Sequence, residues 1–173
     1  SIIYPASAYD SMAGLYQAAP STPYSILARI TTTQTLNASN RAGVFFRESG
    51  TGKLIVFPIY ACSSGGANAV GTLCVSVDKY TNPTTYAGSS YLGNVPSLLD
   101  AHQLWFKLLD DGTNLIFSLC SDNLSTAHCQ TYLTVSRTDF MSSGPNEVGF
   151  YANAINSTYK VAVFLLDGTT GSS

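Results

Sequence analysis

A chain of 173 residues, 45% hydrophobic but only 10% charged, is long enough to bury a core and has to be kept in water mainly by Ser, Thr, Asn, Gly and Tyr. Its formal net charge is −2 and its 8 Lys and Arg are scattered singly, so there is no basic stripe to meet a run of phosphates, and nucleic acid is not expected as a partner. The longest apolar runs are five to seven residues, far short of the ~20 that span a bilayer, and no membrane insertion is expected.

Residues 1–13 read as a lead-in with no charged-then-apolar leader pattern; Ser1 is either a processed end or a cut from a longer chain. GLYQAAP (14–20) is the first candidate strand. In Ser25–Thr31, Ile26, Ala28 and Ile30 share one face and Arg29 and Thr31 the other, the period of a half-buried strand. RAGVFFR (41–47), LIVFPIY (54–60), CVSVDKY (74–80), LWFKLLD (104–110), NLIFSLC (114–120), TYLTVSR (131–137), EVGFYAN (147–153) and KVAVFLLD (160–167) follow, about ten strands in all. Between them lies turn chemistry such as Ser-Gly-Thr-Gly-Lys, Asp-Asp-Gly-Thr-Asn and Ser-Ser-Gly-Pro-Asn. Val95–His102 fits one short helical turn, and no segment carries a capped helical period. The pattern predicts a single all-β domain over 1–173, an antiparallel sandwich or barrel with core 14–167 and a flexible tail over 168–173. Leu54–Tyr60 and Val161–Leu166 are apolar on both faces and are expected to be central strands. Pro58, lacking an N–H, is expected at a bulge or where no neighbour needs that donor.

The four cysteines fall into two local pairs, Cys62 with Cys74 and Cys120 with Cys129, each bracketing a turn-rich loop. Four cysteines allow three pairings; each local pair could close a hairpin as a cross-strand disulfide, a reading preferred over four buried free thiols and one that favours an extracellular, oxidising setting. Neither pair has the spacing of a zinc site, His102 and His128 have no ligand cluster beside them, and no cofactor is expected. Asp110-Asp111-Gly112-Thr113-Asn114 offers oxygens to calcium but lacks the order of a calcium loop, and is read as a hairpin turn. Glu48 and Glu147 are the only glutamates; neither lies in an acidic alternating strand, so both are read as solvated strand-end carboxylates rather than a glycosidase pair. No serine or cysteine nucleophile stands in a motif, and the chain is not expected to be an enzyme. Asn37, Asn123 and Asn156 open glycan-acceptor triplets in expected turns.

DKYTNPTTYAGSSYLG (78–93) places three tyrosines among small polar residues with no aliphatic run to bury them. In an extended chain Tyr80 and Tyr86 share parity while Tyr91 has the other, and Asn82-Pro83 inserts a turn. Tyr80 is read as the end of a core-side strand. Tyr86, Tyr91 and Asn94 are the candidate ligand residues. Trp105 joins them: Leu104, Phe106 and Leu108 occupy one face of its strand, leaving the tryptophan on the other as a ligand surface or a second packing layer.

Taken together, GLYQAAPSTPYSILARI, RAGVFFRESGTGKLIVF, DKYTNPTTY, LWFKLLDDGTNLIFSLCSDN, RTDF and VGFYANAINSTY resemble a concanavalin A-like (laminin G-like) jelly-roll domain of tailed-phage and prophage virion proteins. The resemblance runs over about residues 14 to 167. It implies two packed antiparallel sheets, one concave, and a non-catalytic role at a virion surface in a fibre, tail or head decoration. By analogy it implies a homo-oligomer, a trimer as in fibres, and contacts with other virion subunits. The expected function is a lectin-like adhesin that binds glycans on host or environmental surfaces; the alternative is a purely structural decoration domain, and a glycoside hydrolase is a distant third. The four cysteines depart from the family pattern.

Overall fold

The structure is a computed structural model that describes residues 2–3, 12–31, 40–62, 73–95, 104–121, 128–154 and 162–164. These residues form twelve strands: β1 (Ile2–Ile3), β2 (Met12–Ala18), β3 (Tyr24–Thr31), β4 (Asn40–Arg47), β5 (Leu54–Ala61), β6 (Leu73–Asn82), β7 (Thr85–Asn94), β8 (Leu104–Asp110), β9 (Asn114–Cys120), β10 (Cys129–Ser136), β11 (Glu147–Ala154) and β12 (Ala162–Phe164). They make two antiparallel sheets, one in the order β1-β2-β11-β4-β5-β6-β7 and the other in the order β10-β9-β8-β3-β12. The alternation left sandwich and barrel open, and the resemblance implied two packed sheets; the fold is the two-sheet sandwich.

Alternation decides what lies between the sheets. Ile26, Ala28 and Ile30 of β3 and Phe106 and Leu108 of β8 meet Val44 and Phe46 of β4, Ile55 and Phe57 of β5, and Val75 and Val77 of β6 in one buried cluster. Phe57 is packed edge-on by Phe106 and Phe117 at centroid distances of 5.6 and 5.7 Å. The seven-stranded sheet carries a second cluster on its outer face, made by Met12, Phe45, Leu54, Val56, Tyr80 and Tyr151. Tyr80 is therefore buried, but on the outer face and not on the core side expected for it. Its parity follows Ser76 and Asp78, opposite to Val75 and Val77.

Leu54–Tyr60 is interior as expected, since β5 lies between β4 and β6. The described part of the 161–166 run, β12, is not central: among the described residues it ends its sheet beside β3. An unbroken apolar run signals burial of both faces, which says nothing about how many strands flank it. At Pro58 the β4–β5 ladder continues through the Gly43–Pro58 pair, whereas the β5–β6 register skips Phe57 and Pro58. The missing donor thus falls on the β6 side. The two backbones come so close there that a Cβ on Gly43 would stand 2.1 Å from the Phe57 carbonyl oxygen.

The Asp110–Asn114 turn is a hairpin between β8 and β9 with Gly112 at φ 91°. Its carboxylates are occupied: Asp111 accepts from the Thr113 and Asn114 amides at 2.8 and 2.6 Å, and Asp110 from Arg137 Nε at 2.9 Å. Both disulfides are formed. Cys120 and Cys129 are direct register partners across β9 and β10, and Cys62, just past β5, bonds to Cys74 of β6 with Cα atoms 5.2 Å apart. The acceptor triplets at Asn37, Asn123 and Asn156, His102, and the turn after Val95 lie outside the described residues.

Candidate functional site

The largest strand that the alternation did not reveal is β7, whose TYAGSSYLGN carries no aliphatic stripe because most of its side chains face solvent. It follows the Asn82-Pro83 turn and pairs antiparallel with β6, with register irregularities around Ala87 and Ser90. The pairing places Tyr86 opposite Tyr80, Ser89 opposite Asp78, Leu92 opposite Ser76 and Asn94 opposite Cys74, all on the outer face of the seven-stranded sheet. Tyr91 sits opposite Val77 and turns inward. Tyr80 and Tyr86 thus share the outer face and Tyr91 takes the inner one; the segment is not the unbroken extended run that the parity argument needed, and the division matches plain alternation because the two one-residue shifts between Tyr86 and Tyr91 cancel.

At the centre of this face stands Asp78, 1% exposed. Its carboxylate accepts from Arg41 Nη1 and Ser76 Oγ, each at 2.8 Å, and from Ser89 Oγ at 2.5 Å. Ser89 has one hydroxyl proton and gives it to the carboxylate, so the Tyr86 hydroxyl, 2.8 Å away, must be the donor to Ser89. A directed chain therefore runs from Tyr86 through Ser89 to Asp78. Arg41 in turn lies over the Tyr60 ring at 4.5 Å. Burial works against the Arg41 charge, yet Asp78 and the neighbouring tyrosines outweigh it and hold the guanidinium pKa above its ordinary value. Burial likewise raises the Tyr60 hydroxyl, with Arg41 opposing.

What this produces is one exposed aromatic ring in a fixed attitude. Tyr86 is 52% exposed. Its hydroxyl is tied through Ser89 to a buried carboxylate, and its ring is braced edge-on by the buried Tyr80 at 5.5 Å. Leu92, 61% exposed, stands on the same face.

The other candidates are placed elsewhere or differently. Asn94 is exposed on this face beside the Cys62–Cys74 bridge, its Oδ1 3.5 Å from Cys74 Sγ; a disulfide sulfur carries no hydrogen, so this is a packing contact. Tyr91 is half-buried against the inter-sheet core, edge-on to Tyr132 at 5.6 Å. Trp105 is 7% exposed on the outer face of the other sheet, opposite Arg29 and Cys120. It acts as packing there and offers no open ring. The structure therefore brings Tyr86 and Asn94 onto one face and separates Tyr91 and Trp105 from them. Arg41, Tyr60, Ser76, Asp78 and Ser89 were missed. The available signal was Asp78 itself, an acid in mid-strand where acids are disfavoured.

Both glutamates have partners within the fold. Glu48 is buried, not solvated as its strand-end position suggested: it accepts from Thr51 Oγ1, from the Ser143 amide at 2.7 Å and from Ser142 Oγ at 3.4 Å. The Thr51 hydrogen bond most of all, with Ser143 and Lys53 helping against burial, keeps its acid below the usual carboxylate range. Glu147 is paired with Arg47 across β11 and β4. A cavity of about 140 Å³ opens elsewhere, between β2, β11 and β3, with Leu15, Ile26, Val148 and Phe150 in its walls.

No protein-family model matches the chain, and no curated protein matches it. Solved structures do. A functionally unknown protein from Saccharomyces cerevisiae aligns at TM-score 0.53 and 11% identity over 90% of this chain and 74% of its own. The CBM2 module of the evolved Dit of Lactobacillus casei BL23 phage J-1 aligns at 0.52 and 14% over 94% and 72%. The exoplasmic/lumenal domain of VIP36, in its Ca2+/Man-bound form, aligns at 0.51 and 9% over 99% and 84%. At such identities the likeness is one of fold. The chain shares with them the architecture of a two-sheet antiparallel β-sandwich.

Proposed function

We propose that the chain is a non-catalytic, lectin-like domain that binds glycans through the outer face of its seven-stranded sheet, with Tyr86 as the stacking residue. The observation that carries this reading is the exposed, braced Tyr86 ring. A ring already held in position loses little entropy on binding, and its amphipathic face suits the alternating C–H and O–H surface of a sugar. Asn94, also exposed on this face, supplies a hydrogen-bonding amide. The mannose-bound VIP36 domain and the phage CBM2 module support the ligand class, and the second supports a virion surface as the setting. So does the resemblance of the sequence to virion jelly rolls. Two disulfides suit a particle outside the cell. Absence of catalysis is supported by the commitment of Glu48 and Glu147 to partners within the fold. One aromatic platform binds weakly, and repetition on a particle can add ~10²–10⁴ in avidity.

The test is a glycan array probed with the multimerised chain. Binding to a defined set of glycans is expected, lost in Tyr86→Ala while the chain still unfolds cooperatively, and weakened in Ser89→Ala, which frees the ring. An array without hits, or hits indifferent to Tyr86→Ala, sinks the proposal. Release of reducing sugar from a bound polysaccharide, abolished by Glu147→Gln, replaces it with a hydrolase.

A further inference from the structure

The strand that carries Tyr86 is also a sheet edge: β7 ends the seven-stranded sheet, and among the described residues no strand pairs with its far side. Natural sheets blunt such edges with charge, proline, cover, shortness or bulges. Of these, β7 has among the described residues only its irregularities at Ala87 and Ser90. It is ten residues long, contains no Lys, Arg, Asp, Glu or Pro, and leaves most of its side chains in solvent. Two of the three large apolar side chains that stand exposed among the described residues, Tyr86 and Leu92, belong to it. An open hydrogen-bonding edge and an exposed apolar surface therefore coincide on one neutral strand.

We propose that β7 is the homodimer interface of this protein, pairing antiparallel with β7 of a second copy across a two-fold axis at Ser89. The spacing of the side chains favours a copy of the same strand as the occupant. Tyr86 and Leu92 lie symmetrically about Ser89 and point to the same face. A two-fold axis perpendicular to the sheet keeps that face common to both chains, and sets Tyr86 of each copy opposite Leu92 of the other. Cross-strand pairs of an aromatic with an aliphatic residue stabilise antiparallel pairing, and the interface repeats each contact twice. Because the strand is uncharged, like charges do not oppose self-pairing. Each Tyr86 ring then gains the partner's Leu92 as an apolar neighbour, and the two platforms face the same way. This inference stands on the edge and its side chains, independently of the glycan reading.

Sedimentation equilibrium over a concentration series, joined to a cross-linking pair, tests it. The chain is expected to move from one-chain to two-chain mass with rising concentration. Leu92→Lys, an exposed position, places a charge at both ends of the interface and is expected to weaken dimerisation roughly tenfold or more, with thermal unfolding of the monomer unchanged. All four native cysteines are in disulfides, so an introduced cysteine is the sole free thiol. A mixture of Tyr86→Cys and Leu92→Cys chains is expected to form a disulfide dimer that neither variant forms alone under the same oxidation. A chain that stays monomeric, a three-chain assembly, or a dimer indifferent to Leu92→Lys and without the mixed cross-link overturns the proposal.

Discussion

Replacing Asp78 by alanine tests whether the polar centre on the outer face is a structural hub. The substitution removes the counter-charge of Arg41 and the acceptor of two hydroxyls, Ser76 and Ser89, on a side chain that is 1% exposed. Breaking a buried ion pair from one side costs about 3–5 kcal/mol, because the other charge is left behind. Arg41 retains 23% exposure of its side chain, so water reaches its guanidinium and the loss belongs at the lower end, about 3 kcal/mol. At ~2–4 °C per kcal/mol for a chain of this size, the melting temperature falls by about 6–12 °C. Asp78→Asn keeps the shape and one carbonyl acceptor and is expected to lose about 2 kcal/mol. Urea unfolding at neutral pH measures both, with an unchanged m-value confirming that the folded state is intact. In a double-mutant cycle, Asp78→Asn combined with Arg41→Met is expected to cost at least ~1 kcal/mol less than the two single losses together. A loss under ~1 kcal/mol for Asp78→Ala, or strict additivity in the cycle, would falsify the assignment of Asp78 as the hub.

The Tyr132 hydroxyl is buried among Phe57 and Tyr91 without a hydrogen-bond partner among the described residues; Tyr132→Phe removes that orphan and is expected to stabilise the fold by about 1 kcal/mol in the same urea assay. Burial, with Tyr91 adding, pushes this hydroxyl from its ordinary 10.0 up to about 12. Between those two values the unfolded chain binds fewer protons than the folded one, so stability present below pH 10 is lost as pH rises toward 12. Tyr24, raised in the same direction by burial and Asp110, adds to the loss; Tyr132→Phe is expected to flatten it, and an unchanged alkaline slope would argue against the burial of that group. Gly43→Ala puts a methyl 2.1 Å from the Phe57 carbonyl oxygen between two interior strands, and is expected to cost about 3 kcal/mol or more, read as lost soluble yield or a lower urea midpoint.

How far the sequence reached depended on whether a residue's environment is set by its own strand. The β8–β9 hairpin was legible to the residue: its strands alternate apolar positions around Asp110-Asp111-Gly112, and such local signals fix both register and turn. β7 was not legible, because an edge strand that leaves most of its side chains in solvent needs no apolar stripe. The same physics hid the burial of Glu48. Its partners Ser142 and Ser143 stand more than ninety positions away in the chain, and nothing beside a strand-end glutamate announces that a distant loop folds over it.

By itself the sequence determined the all-β alternation and the closeness of each cysteine to one neighbour, since alternation and short-range spacing are properties of one segment; it left sandwich and barrel both open, and the two packed sheets came from the resemblance. Only the tertiary structure decided which face is outer, that Trp105 is covered while Tyr86 is open, and that Asp78 sits under Ser89. Those outcomes depend on strand order. Arg41 and Asp78 meet because β4, β5 and β6 lie side by side, and no local pattern in either strand records its neighbour.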